Sequence, residues 1–116
     1  MKKFDLSNFI VEPKGKLAKR MIYKDQNVIA FVLNIAKGES LPPHTHFNCT
    51  VLVQVLTGTA NVNADGQTVS LAEKELVQLD GPEKMSVDNT GAETLVLYVS
   101  ISPLPPAEGY SVDVDL

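Results

Sequence analysis

Turn signals cut the chain into short runs of β-forming residues, and this punctuation constrains the fold more than any other feature. Residues 28–35 are rich in β-branched side chains and phenylalanine and stop at Lys37-Gly38. Residues 50–56, Thr-Val-Leu-Val-Gln-Val-Leu, have the apolar content of a buried strand and close at Thr57-Gly58. Residues 59–63 alternate polar and apolar. Asp65-Gly66 follows, a dipeptide favoured in two-residue hairpins, so residues 67–71 are expected to pair back. Residues 76–79 are apolar and break at Asp80-Gly81-Pro82, 85–87 run into Asp88-Asn89-Thr90-Gly91, and 94–101 form the longest β-rich run. Residues 18–23 supply a further strand before Asp25-Gln26-Asn27. No window of about eleven residues carries a helical apolar stripe, and residues 70–75 are the only weak helical candidate. About seven to nine short strands at this spacing predict an all-β sandwich or barrel.

With 116 residues the chain predicts one domain with a single core, built as a barrel over about 16–102. Pro103, Pro105 and Pro106 end the barrel, leaving 103–116 as an extended tail expected to lie along a neighbouring subunit. A net charge of −4 argues against nucleic acid as a partner. The one basic cluster, Lys14, Lys16, Lys19 and Arg20, reads as a solvated strand face. Met1-Lys2-Lys3 has no apolar stretch behind it, so no signal peptide is expected. No run approaches the roughly eighteen apolar residues needed to span a bilayer, so no membrane partner is expected either. A single cysteine, Cys49, cannot form an internal disulfide and fits a reducing compartment. The expectation is a soluble, cytoplasmic protein.

His44 and His46 are the only histidines, and they stand two apart. On an extended strand such residues leave the same face, so both imidazoles can reach one metal ion. The surrounding spacing extends the pattern. Gly38 precedes His44 by six positions, and Gly58 follows His46 by twelve. With the stretch from Met85 to Gly91, in which Asn89 and Gly91 fall into place, this resembles the two motifs of the cupin superfamily. The resemblance covers about residues 28–101 and implies a single-domain jelly-roll β-barrel, a cupin-like double-stranded β-helix, which commonly forms a homodimer.

The departures from the cupin pattern bear on chemistry. A fully equipped cupin presents three histidines and one glutamate to a divalent metal. Here Val51 holds the glutamate position and Met85 that of the third histidine, while Lys74-Glu75 stands where Gly-Asp is usual and Gly81-Pro82 is a shifted turn. Valine cannot coordinate, and a thioether suits Cu(I) better than Fe(II), Mn(II) or Zn(II). The candidate metal ligands are thus His44, His46, Cys49 and Met85, with Asn48 as a neutral oxygen donor, for a weakly held transition metal (Zn, Ni, Cu, Fe or Mn). Gln54 is expected to face away. Phe47, Val51, Val53, Val55 and Met85 predict an apolar pocket, with Tyr98 and Asn34 as further polar contacts. The first expectation is a small-molecule-binding barrel of little catalytic power. The alternatives are a metal-dependent cupin enzyme of dioxygenase or isomerase type, and a structural or regulatory dimer with a vestigial site. No nucleophile motif such as Gly-x-Ser-x-Gly occurs.

Overall fold

The computed structural model describes residues 1–103 and 111–116. Pro105 and Pro106, expected to end the barrel, lie outside the described residues. Among those described, ten strands form two antiparallel sheets. They are β1 (Leu17–Lys24), β2 (Ile29–Ile35), β3 (Ser40–His44), β4 (Thr50–Thr57), β5 (Ala60–Ala64), β6 (Gln67–Leu71), β7 (Leu76–Asp80), β8 (Met85–Asn89), β9 (Leu95–Ser102) and β10 (Val114–Asp115). One sheet has the order β10-β1-β2-β9-β4-β7 and the other β3-β8-β5-β6.

Strand alternation sorts the side chains. In β4 the odd positions Val51, Val53 and Val55 are buried between the sheets, and Leu95, Leu97, Val99 and Ile101 do the same in β9. In the smaller sheet the inner residues are Ala60, Val62 and Ala64 of β5 with Met85 and Val87 of β8. Each buried Val, Leu or Ile contributes roughly 1.5–3 kcal/mol relative to exposure, so this two-sided interior supplies most of the drive to fold. The Asp65-Gly66 hairpin forms as its chemistry demands, with φ of +47° and +86°, and residues 70–75 form no helix.

β2 is buried on both faces. Its odd residues enter the interior, while the outer face is covered by the segment around a short 3-10 helix, Leu6–Phe9, capped by the Asp5 carboxylate. Asn34 ties the two together. Its side-chain amide donates to the carbonyls of Phe9 and Ala18 and accepts from the Val11 N–H.

Two features of the double motif serve the backbone. Gly38 and Gly58 take φ of +76° and +98°, the left-handed region that favours glycine. Buried Asn89 donates to the carbonyls of Ile35, Ala36 and Glu93 and accepts from the Gly91 N–H, pinning the β8–β9 turn to the end of β2.

β3 is a strand that propensity does not reveal. Pro42 and Pro43 sit inside it and donate no N–H, so its ladder with β8 is broken between Leu41 and His44. The end of the tail also differs from expectation, because Val114–Asp115 pairs with β1 of its own chain. The Leu116 carbonyl accepts from the amides of Lys16 and Leu17, Leu116 N–H donates to Leu17, and Arg20 reaches Asp115 at 2.8 Å.

Candidate functional site

Between the sheets lies a cavity of about 450 Å³. Phe31 and Leu33 of β2, Val51 and Val53 of β4, and Leu97 and Val99 of β9 form its wall on the larger sheet. Met85 and Val87 face them from β8. Exposed Pro42, Pro43 and Leu116 stand at its rim, and Val114 of β10 completes one side. Among the described residues that line it, only Lys19, His44 and His46 carry polar side chains.

His44 closes β3 opposite Met85. Its Nδ1 lies 2.7 Å from the Pro42 carbonyl oxygen. A carbonyl can only accept, so Nδ1 is the donor of this bond and Nε2 is the ring nitrogen left for another partner. His46 lies beyond the strand, in the turn that leads to β4. Its N–H donates to the Gly81 carbonyl and its own carbonyl accepts from Cys49 N–H. Asn48, at φ +65°, lets this turn close. The two rings still converge, with centroids 4.5 Å apart in an edge-on arrangement. They meet through a turn rather than through the strand alternation that the His-x-His spacing suggested.

His46 is only 6% exposed. Burial, then the neighbouring His44 and Lys19, push its pKa down to about 4, so the ring is neutral at physiological pH. Lys19 is buried too, with Nζ 4.5 Å from the centroid of the Phe31 ring. Burial lowers its pKa, partly offset by the charge of Asp113. Lys19 is the site residue that the sequence reading placed on a solvated face. The signal was available in β1, where Leu17, Lys19 and Met21 share the inner parity and Arg20 points the other way.

Val51, Val53 and Met85 line the cavity with the two histidines, but the other candidates lie elsewhere. Cys49 precedes β4 and turns its thiol toward the carbonyls of Phe47 and Pro103, and burial raises its pKa. Phe47 is 69% exposed at the tip of the turn, and Asn48 beside it is exposed as well. Tyr98 alternates with the inward Leu97 and Val99 and takes the outer face of β9. Asn34 is spent on the N-terminal segment. Gln54, outward as expected, donates to the Lys74 carbonyl.

The donor set does not fit a resident four-ligand metal. Val51 and Met85 line the cavity with the two imidazoles and add no oxygen, nitrogen or thiolate ligand, and no group of three His, Cys, Asp or Glu side chains suited to a metal occurs among the described residues.

No protein-family profile matches the chain, and no curated protein matches it in sequence. Solved structures do. TT1209 from Thermus thermophilus superposes with a TM-score of 0.83 at 19% identity, covering 89% of this chain and 98% of that one. The cupin domain of Cnp3 from Schizosaccharomyces pombe gives 0.79 at 17% identity over 88% of this chain and 74% of that one. The chain has the cupin fold. An RmlC-like cupin from Desulfovibrio desulfuricans agrees, with a TM-score of 0.78 at 17% identity over 89% and 97% of the two chains. At these identities the likeness concerns the cupin barrel, and the chemistry must be argued from this chain's own residues.

Proposed function

We propose that this cupin barrel binds a small organic ligand with an apolar body and a polar end. The observation that carries the reading is the cavity, whose 450 Å³ falls within the roughly 300–1,000 Å³ of small-molecule sites. Its walls are aliphatic and aromatic, and its polar groups are gathered at Lys19, His44 and His46. Such a division suits a ligand oriented by one end. His44 offers Nε2, because its Nδ1 proton is committed to the Pro42 carbonyl.

A divalent metal belongs to this reading only as a weak guest. The hydrogen bond from His44 Nδ1 to a carbonyl is the outer support common to metal-ligating histidines. Two imidazoles leave most of a coordination shell to water, so such a metal would be held weakly. The proposal therefore assigns the protein binding rather than metal-driven turnover. It includes a cytoplasmic location, from the lone free Cys49, and a homodimer.

A thermal-shift screen of small amphiphilic compounds, run with and without EDTA, tests the reading. Compounds that stabilise the protein equally under both conditions support it, since a ligand that binds only the folded state raises the transition temperature. Stabilisation confined to added transition metals, with turnover that depends on them, would replace it with the enzyme reading.

A further inference from the structure

We infer that β10 is a strap over the cavity: it lifts off β1 to admit and release the ligand, and an occupied cavity holds it down. The inference rests on the reading of the cavity as a ligand site and adds how that site opens. Three observations lead to it.

The first is where the two sheets stay apart. β6 and β7, outermost in their sheets, follow one another through the short turn at 72–75, which joins the sheets along that side. The outermost strands on the opposite side, β3 and β10, are distant in the chain, and the exposed rim residues Pro42, Pro43 and Leu116 come from there. Prolines carry no N–H, so β3 cannot zip onto a facing strand at this point. The second is the attachment. β10 meets β1 at Ala18–Asp115 and Lys19–Val114, a ladder far shorter than those joining β1 to β2 and β2 to β9. Elements with few such bonds open at the lowest cost, so β10 is the part of the larger sheet that opens most readily. The third is the division between its two sides. Val114 faces the cavity and Leu116, 62% exposed, stands at the rim, so a ligand beneath them covers apolar surface that is otherwise wet. The seat itself lies outside the cavity. Arg20 pairs with Asp115 at 2.8 Å, the Met21 N–H donates to Asp113 at 2.7 Å, and Gly15 leaves room for the Leu116 carbonyl, which a Cβ there would overlap. Docking therefore has its own bonds, and the ligand adds to them. A ligand touching Val114 and Leu116 favours the docked strand and so resists its opening.

The test follows amide hydrogen exchange by NMR on the full chain in EDTA, with 1-octanol, 3-phenylpropanol and N-phenyl-1-naphthylamine as probes. The Lys16 amide donates to the Leu116 carbonyl and the Leu116 amide to that of Leu17, so both report on the strap. In the free protein they are expected to exchange at least about tenfold faster than the amides of Val53 and Val99 in the middle of the sheet. A bound probe at about thirty times its Kd should slow them by about tenfold or more. Asp115→Arg, at an exposed position off the cavity, should speed their exchange and the release of the probe together, by about two- to fivefold. The charge swap Arg20→Glu/Asp115→Arg should restore both. Strap amides that exchange no faster than the sheet centre, or that ignore a bound probe, would overturn the inference and leave the cavity reading standing. So would probe release that stays unchanged in Asp115→Arg while exchange speeds up. Binding of none of the probes would overturn both readings.

Discussion

His46 shows how one buried side chain can set a property of the whole protein. Its pKa of about 4 in the folded chain compares with an ordinary 6.5, so between those values the unfolded chain binds the proton and the folded chain does not. Stability therefore rises with pH through that window. The contribution is fully present above about pH 6.5 and is lost progressively down to about pH 4, by up to about 3 kcal/mol. Urea unfolding of wild type and His46→Gln at pH 7, 5.5 and 4.5 should show the variant losing less stability on acidification. Parallel losses would mean that His46 titrates normally. Lys19 belongs to the same scale. The residues legible from the sequence were those with a fixed chemical identity, His44 and His46, together with the strand-parity neighbours Val51 and Val53. Lys19 was hidden because a lysine is usually exposed, and only the inward parity of Leu17 and Met21 marks it. Cys49 and Phe47 were misplaced because they fall in the turn before β4, where alternation no longer says which way a side chain points.

At the scale of elements, the turn joining β7 to β8 carries more than its own connection. Gly81 accepts from His46 N–H, and a Cβ at this position would overlap the carbonyls of His46 and Cys49. The turn thus holds the loop that brings His46 to the cavity. Gly81→Ala is predicted to cost about 1–3 kcal/mol, the range for forced overpacking, and to shift the His46 ring resonances while those of outer-face Tyr98 stay in place. A neutral effect on both would show that the two turns are not coupled. The sequence made most elements legible, since β-branched runs and Asp65-Gly66 carry strong local signals. β3 and β10 were not. The first is written with two prolines, and the second spans only two residues whose partners lie about a hundred positions away. The Arg20–Asp115 pair beside β10 is exposed on the Asp115 side, and such surface pairs contribute about 0–1 kcal/mol, so the backbone bonds around Leu116 are the firmer attachment.

For the molecule as a whole, two antiparallel sheets enclose a chamber that the sequence could announce only as an apolar set of residues. Periodicity says which side chains face inward. It does not say whether they meet or leave space, because that depends on how far apart the sheets stand. The account makes the space a ligand site independent of metal. Methyl-resolved NMR of the protein in EDTA, during titration with the small amphiphiles that stabilise it, tests this most directly. The methyls of Val51, Val53, Val87 and Leu97 should shift together while that of Leu52, on the other face of β4, does not. Inner methyls unmoved by every such compound, or shifts that appear only once a transition metal replaces the chelator, would contradict it.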